Sequence, residues 1–372
     1  MGATLVRAAF WRGGTSKGLF FRDEDLAPFD DRDEVFQRAL GSPDRYGRQL
    51  DGMGGGISSL SKVVVVHAPR HPDADLSYTF GQVAVDRALV DYSSNCGNLT
   101  SAVAPYAVRE GLLHLSDGPA VVRLHNTNTD KIVHVSLEVR DGDVPSEGSL
   151  WLPGVDAPGA PLDVRFIDPG ASRCTHLLPS GATRDVLDGV EVSLVDAVSP
   201  LVVVRAHDLG RTNPLSPDEI DRDSELTARL EDLRRRAAVL AGLAGDPEHA
   251  PLAAPKIGLL GPASDYETLE GRTVKAGDYD LAIRMMSMGR AHRAVPVTSA
   301  LALAVTAQLP GSLAHDLVGG RDRLRLGTPS GVVEVGARVE REGDGLVARH
   351  ASLWRTAREL MRGEVRLGDP RA

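Results

Sequence analysis

The feature that most constrains the fold is a pair of helical segments, one in each half of the chain, that are small and apolar on nearly every face. They span residues 99–108 and 300–308. A helix without a polar face must be surrounded by other elements, so both segments are predicted to be buried. Each follows a strand and a turn. The pattern therefore predicts an α+β protein in which the two halves correspond to each other.

The turn before the first buried helix carries a thiol among small polar residues, Ser94-Asn95-Cys96-Gly97-Asn98. The first turn of a helix has N–H groups without intrahelical partners, and these attract anions. Gly97 lets a ligand approach the backbone closely. The structural alternative, a small cysteine filling a core gap, is the commoner one for the residue type alone. The surrounding Asn and Gly residues favour a site.

Composition limits the classes of partner. A chain of 372 residues, 42% hydrophobic and 25% charged, is long enough for two domains. The net charge of −9 argues against nucleic acid and anionic membranes as partners. A small anionic substrate stays compatible with it, since backbone N–H groups and one or two cations can hold a carboxylate.

The two cysteines, Cys96 and Cys174, are far apart and form no metal-type cluster. Cys174 lies in a loop-like stretch without a nearby base, which predicts a structural role. The N-terminus lacks an apolar signal core, and no apolar run is long enough to span a bilayer. Together these features predict a cytoplasmic protein.

Lysine is scarce in this chain, with five lysines among 42 basic residues. A buried lysine can lose its proton, whereas an arginine effectively cannot. Lys62 opens a run of four valines, where a lysine either extends to solvent or is held as a functional amine. Extension to solvent is the commoner outcome for the residue type, and the glycine-rich turns at 12–18 and 52–56 reduce its weight against the functional alternative.

The turn at 12–18 is not a nucleotide-binding loop. Here Ser-Lys-Gly leads into a strand, whereas the phosphate loop needs Gly-Lys-Ser/Thr at the start of a helix. Two interpretations stay open: a tight hairpin turn, or a cleft lined by Arg12, Thr15 and Ser16 with backbone donors from the glycines. Further along, residues 216–243 are predicted to form a surface helix, and residues 351–361 a C-terminal helix.

Three motifs, in this order, resemble the PrpF family: 12–18, Asn95-Cys96-Gly97-Asn98, and Met286-Ser287-Met288-Gly289 followed by 294–298. That family includes 2-methylaconitate cis–trans isomerase, methylitaconate delta-isomerase and 4-oxalomesaconate tautomerase. The resemblance implies the diaminopimelate-epimerase-like fold, with two pseudo-symmetric domains that each wrap a curled β-sheet around a central buried helix. We expect the domains at 1–187, with Lys62 and the Cys96 helix, and at 188–372, with the Thr298 helix. It also implies an active site between the domains, at the N-termini of the two helices.

The same resemblance implies a proton-shifting isomerase of unsaturated di- or tricarboxylates that needs no cofactor and no metal. It assigns Lys62 and Cys96 as the catalytic pair. The residues expected to bind substrate are Arg12, Thr15, Ser16, Asn95, Gly97, Asn98, Ser287, Met288, Gly289, Thr298 and Ser299.

Two alternatives stay open at the sequence level. One is a ligand-binding protein of the same fold that has lost turnover; the other is an amino-acid epimerase. Epimerases of this fold pair two thiols, and the second helix opens with Val297-Thr298-Ser299 and no cysteine, which disfavours the epimerase. The oligomeric state is also open, with a homodimer in keeping with the family.

Overall fold

The computed structural model describes residues 4–92, 95–212, 214–252, 254–287, 289–343 and 345–368. The chain forms two compact units: Met1–Arg165 with Trp354–Ala372, and Phe166–Leu353. This division differs from the boundary expected between 187 and 188. The C-terminal segment belongs to the first unit because its last strand pairs with the first strand of the chain.

The chain contains the following strands and helices. The strands are β1 (Leu5–Gly13), β2 (Ser16–Arg22), β3 (Lys62–His67), β4 (Leu76–Val83), β5 (Val90–Asp91), β6 (Gly118–Asn126), β7 (Lys131–Val139), β8 (Leu162–Ile167), β9 (Asp185–Leu187), β10 (Val190–Ala197), β11 (Ser199–Arg205), β12 (Lys256–Pro262), β13 (Tyr266–Glu267), β14 (Thr273–Val274), β15 (Leu281–Ser287), β16 (Arg290–Ala291), β17 (Arg323–Thr328), β18 (Gly331–Glu342), β19 (Gly345–Arg355) and β20 (Ala357–Arg366). The α-helices are α1 (Arg32–Leu40), α2 (Gly97–Arg109), α3 (Pro217–Arg222), α4 (Ser224–Leu240), α5 (Val297–Gln308) and α6 (Leu313–Val318).

In the first unit, strand pairing surrounds one buried helix. β1 and β2 form a hairpin, β2 runs parallel to β3, and β3 pairs antiparallel with β4. β4 then runs parallel to β6, which pairs antiparallel with β7. Helix α2 packs against β1, β2, β3 and β20. Every residue from Leu99 to Val108 is buried, as predicted from its apolar composition.

The second unit repeats this order of pairing. β10 and β11 form the hairpin, β11 runs parallel to β12, and β12 pairs antiparallel with β15. β15 runs parallel to β17, which pairs antiparallel with β18. Helix α5 packs against β10, β11, β17 and β18, and it is the counterpart of α2. The correspondence between the two halves that the sequence indicated is therefore present strand by strand.

The predicted surface helix at 216–243 forms as two consecutive helices, α3 and α4. Ser216 and Glu219 make the reciprocal hydrogen bonds of a capping box at the start of α3. Asp223 ends α3, and its side chain accepts a hydrogen bond from the N–H of Leu226 to cap α4. No helix in the described part of the chain is long and apolar enough to cross a membrane.

The predicted C-terminal helix at 351–361 is wrong. These residues belong to β19 and β20, and β20 pairs along its length with β1. Exposure along β20 largely alternates from one residue to the next, which is the period of a strand with one covered face. Pairing with a strand more than 340 residues earlier decides the conformation, and a local pattern does not report such a partner.

Candidate active site

Lys62, the first residue of β3, is held inside the first unit. Only 8% of its surface is exposed, so it does not extend to solvent. In the antiparallel register it lies opposite Gln82 of β4. Its Nζ donates a hydrogen bond of 2.6 Å to Gln82 Oε1 and lies 4.8 Å from the centre of the Phe80 ring. The structure therefore fixes the position of a lysine amine in a poorly hydrated place.

The orientation of the Gln82 amide is fixed from the other end. Its Nε2 donates to the backbone oxygens of Ser61, at 2.8 Å, and Ser58, at 3.1 Å. Because both of these partners are acceptors, the nitrogen must face them and the oxygen must face Lys62. Gln82 thus holds the lysine amine in one direction, although no sequence pattern singled it out.

Cys96 is the N-cap residue of α2, with extended backbone (φ −109°, ψ 94°), and its free thiol is half-buried. Its carbonyl oxygen accepts hydrogen bonds from the N–H and the hydroxyl of Thr100, both at 3.0 Å. The neighbouring Asn95 donates through Nδ2 to the hydroxyl of Tyr78 at 2.9 Å. That hydroxyl also lies 2.8 Å from Thr100 Oγ1. The turn that carries the thiol is therefore tied to β4 and to the first turn of α2.

One face of β4 links the lysine to this turn. Tyr78, Phe80 and Gln82 alternate along the strand and so lie on the same face. Gln82 and Phe80 contact the Lys62 amine, and Tyr78 contacts Asn95. Burial raises the pKa of Tyr78, although its hydrogen bonds to Thr100 and Asn95 act in the opposite direction. The phenol therefore stays protonated at physiological pH.

The hairpin turn between β1 and β2 meets the start of α2. Asn98 Nδ2 lies 3.1 Å from Thr15 Oγ1 and 3.5 Å from Ser16 Oγ. Its Oδ1 accepts a hydrogen bond of 3.1 Å from Arg355 Nε. Three residues predicted to bind substrate, Thr15, Ser16 and Asn98, are thus brought together beside Gly97, the first residue of α2. The turn is both a tight hairpin, as one interpretation had it, and part of a polar cluster.

Arg355 is the residue of this cluster that the sequence did not reveal. It ends β19, is 8% exposed, and belongs to the first unit. Burial lowers its pKa to about 10, while the Coulombic effect of Cys96 acts in the opposite direction. A guanidinium with that pKa stays charged at neutral pH, so a buried cation lies beside the start of α2. In a chain with so many arginines, nothing in the sequence distinguishes this one.

Arg12 has a different set of contacts from the one expected. Its Nη1 donates to the carbonyl oxygens of Gly14 and Thr356 and to the hydroxyl of Thr356, all at 3.0 Å. Burial lowers its pKa, and the charge of Arg358 lowers it further. These bonds anchor the hairpin turn. The predicted pairing of Arg12 with a substrate carboxylate stays a prediction.

In the second unit, the predicted residues fall into two places. Ser287 ends β15 and pairs with Arg290, and Gly289 lies between them with φ of +79°. Ser287 and Gly289 line a cavity of about 270 Å³. Thr298 and Ser299 form the first turn of α5 and are not among the described residues that line this cavity. Met288 lies outside the described residues.

Cys174 has a base beside it, contrary to the expectation. Its backbone N–H donates to Asp196 Oδ2 at 2.6 Å. Burial raises the pKa of its thiol to about 12, and the charge and hydrogen bond of Asp196 raise it in the same direction. The half-buried side chain packs against the core of the second unit. The thiol is therefore protonated at neutral pH, which suits the structural role predicted for it. Within the described ranges, no three His, Cys, Asp or Glu side chains are grouped to hold a metal ion.

Comparison with known proteins identifies the family of this chain. The family model described as PrpF protein matches residues 4–368. The chain belongs to the PrpF family. The 2-methyl-aconitate isomerase of Shewanella oneidensis is 37% identical, with 98% of this chain and 97% of that protein covered. The 4-oxalomesaconate tautomerase of Pseudomonas putida is also 37% identical, with 99% and 98% covered.

Solved structures agree with the membership. A methylitaconate-delta-isomerase superposes with a TM-score of 0.89 at 34% identity, covering 98% of this chain and 97% of that one. A hydroxyproline epimerase of Agrobacterium vitis, 12% identical, shares the fold at a TM-score of 0.53 over 98% of this chain and 94% of that one. This PrpF-family protein therefore has the epimerase-like fold that the resemblance implied. Because relatives of this identity and coverage are named isomerases, it is an isomerase.

Proposed function

We propose that this PrpF-family isomerase moves a proton between the two ends of an allylic system in an unsaturated di- or tricarboxylate. The candidate substrates are acids of the type of 2-methylaconitate, methylitaconate and 4-oxalomesaconate, which the names of its relatives indicate. The observation that carries the proposal is the buried amine of Lys62, which Gln82 holds in one orientation.

In this reaction the amine of Lys62 acts as the base and takes a proton from the carbon next to the double bond. The electron pair of that C–H bond forms the new double bond, and the negative charge passes into the conjugated carboxylate or carbonyl. The ammonium of Lys62 then returns the proton to the far carbon of the allylic system. One group thus serves as base and then as acid, and the sequence of steps needs no cofactor.

The start of α2 supplies stabilisation for the negative charge. The N–H groups of Gly97 and Asn98 belong to the first turn of a helix and have no intrahelical acceptor. Such groups favour a carboxylate or a developing enolate oxygen. The buried guanidinium of Arg355, bonded to Asn98 Oδ1, adds a positive charge at the same turn. Ser16 and Thr15 contribute hydroxyl groups beside it.

Cys96 has a secondary part in this proposal. Its half-buried thiol stands at the N-cap of α2, where it can contact a bound acid. The proton transfer described above is complete without it, so we assign it to assisting the proton transfer or lining the site. The unpaired state of both cysteines also supports placing the reaction in the reducing cytoplasm. The homodimer stays a prediction.

The proposal is tested by proton NMR in deuterated buffer with the three candidate acids. The wild-type protein should isomerise at least one acid and incorporate solvent deuterium at an allylic carbon. Lys62→Ala should abolish both isomerisation and deuterium incorporation. Lys62→Arg should do the same, because a guanidinium effectively never gives up its proton in a protein. Cys96→Ser should keep measurable turnover.

Lys131→Ala is the matched control, since Lys131 starts β7 and has no place in the proposed site. It should behave as the wild type. Full activity of Lys62→Ala would exclude the lysine mechanism. Equal activity of Lys62→Arg and the wild type would reduce the lysine to an electrostatic role. If the wild-type protein exchanges none of the acids, the ligand-binding alternative is favoured.

A further inference from the structure

The second unit holds a lysine at the position that Lys62 occupies in the first. Lys62 precedes Val63, which lies opposite Leu19, so Lys62 falls opposite the second residue after Ser16 at the start of β2. Lys256 lies opposite Leu201, the second residue after Ser199 at the start of β11. Each lysine is also the first residue of its strand, β3 or β12. The equivalence thus holds to the residue.

The strand on the other side of each lysine completes the equivalence and shows one difference. Lys62 pairs with Gln82, and Lys256 comes one residue before Ile257, which pairs with Met286. The residue beside Lys256 is therefore Ser287. In the first unit the long Gln82 side chain reaches the amine. In the second unit a serine occupies that position, and Lys256 and Ser287 both line the cavity of about 270 Å³.

The charges around this cavity suit an anion. Lys256 and Arg234 are the cations of its lining, and Glu231 is the carboxylate. Glu231 accepts hydrogen bonds of 2.7 Å from both Arg234 and Arg235, so its charge is neutralised. Burial lowers the pKa of Lys256, and the charges of Arg173 and Arg234 lower it further. A ligand carboxylate in the cavity would offset this accumulation of positive charge.

The remaining lining suits a carbon skeleton. Apolar side chains from α4, from the segment before β12, from β12 and from β15 face the cavity, and a threonine of α4 adds a hydroxyl. The apolar side chains are those of Ala228, Leu252, Ile257 and Met286, and the threonine is Thr227. A small acid that carries carboxylates on a short hydrocarbon chain matches this combination.

We propose that Lys256, with Ser287, binds a carboxylate group of the substrate in this cavity. The inference rests on the proposed function for the class of ligand. It makes Lys256 a substrate-binding residue, in addition to those assigned from the family resemblance. Its role is to hold a carboxylate, whereas Lys62 moves a proton.

The test measures binding of tricarballylate, a saturated tricarboxylate without a double bond to shift, by isothermal titration calorimetry. Lys256→Gln should weaken binding by about 10-fold or more, as expected for loss of a hydrogen bond to a charged group. Lys256→Arg keeps the charge and should restore most of the affinity. Lys275→Gln is the matched control, because Lys275 is exposed and pairs with Asp265 outside the cavity.

The same variants should raise the KM for whichever acid the wild type isomerises more than they lower kcat. Tricarballylate binding that is unchanged in Lys256→Gln would overturn the inference, and so would a wild-type protein that does not bind it. If the thermal unfolding curve of Lys256→Gln differs from that of Lys275→Gln, the weaker tricarballylate binding would be due to altered folding. That result would also count against the inference. Because tricarballylate cannot react, the binding measurement does not depend on turnover. It can therefore be interpreted even if the proposed Lys62 mechanism fails.

Discussion

Gln82 Oε1 lies 2.6 Å from Lys62 Nζ, while the nitrogen of the same amide is held by the backbone oxygen of Ser61. The two residues are opposite each other in the register of β3 and β4. The orientation of the Lys62 amine is therefore set by Gln82, whose amide nitrogen is fixed to the backbone. This makes Gln82 a positioning residue for the proposed proton transfer.

Gln82→Leu is expected to slow turnover without preventing substrate binding. The leucine keeps the bulk of the side chain and removes the acceptor, so the amine samples several directions. We expect kcat to fall by roughly 10- to 100-fold, the scale of a misplaced catalytic group, with little change in KM. Steady-state kinetics with the acid found by NMR gives both values.

Gln82→Glu keeps an acceptor but loses the Nε2 donor to the backbone oxygens of Ser61 and Ser58, so it should not restore the kcat of the wild type. Gln37→Leu is the control, because Gln37 is a half-buried glutamine of α1 in the same unit, outside the proposed site. A Gln82→Leu variant with wild-type kcat would show that the orientation of Lys62 does not depend on this hydrogen bond.

Much of the fold was predictable because it follows local rules. The all-round apolar composition of 99–108 requires burial, and α2 is buried. Ser216 and Glu219 form the capping box that their spacing predicts. The strand β20 was not predictable, because its conformation depends on pairing with β1 at the other end of the chain.

The residues of the candidate site also divide into those that the sequence could predict and those that it could not. Lys62 was a candidate because a lysine rarely opens a buried strand, and Asn98 was one because it stands at a helix start. Arg355 and Gln82 gave no signal, since each becomes part of the site only through residues that are distant in sequence. Arg12 gave a signal, and its contacts anchor the turn. Residue type and spacing identify chemistry that is local, whereas the supporting contacts come from tertiary pairing.

Gly13→Ala is expected to disturb the start of α2. A Cβ at this position would lie 2.5 Å from the carbonyl oxygen of Asn98 and 3.0 Å from the Cα of Leu99. Both are backbone atoms, so the helix start or the hairpin must move. Forced overpacking of this kind costs about 1–3 kcal/mol in the free energy of unfolding. Urea denaturation should show that loss, together with weaker tricarballylate binding.

Gly363→Ala provides the control in another strand of the same unit. Its added Cβ would meet Met361 Sδ at 3.8 Å, an ordinary contact, so stability and binding should change little. Equal stability of the two alanine variants would mean that the helix start accommodates the methyl group. In that case the close approach of the hairpin to α2 would not be needed to hold the site.

The two cysteines are expected to differ in their reactivity toward iodoacetamide at pH 8. Alkylation requires the thiolate. Burial, reinforced by Asp196, raises the pKa of Cys174 to about 12, so at pH 8 its thiol is protonated and should react slowly. Cys96 has no such neighbouring carboxylate among its described contacts, lies half-buried at the N-cap of α2, and should be modified first. Peptide mass mapping over time gives the two rates separately.

Tricarballylate should slow the reaction of Cys96 and leave that of Cys174 unchanged, and unfolding in guanidinium should make the two rates similar. Equal rates in the folded protein would contradict the assignment of Cys174 to a structural role. A Cys96 rate unaffected by tricarballylate would place the thiol outside the binding site.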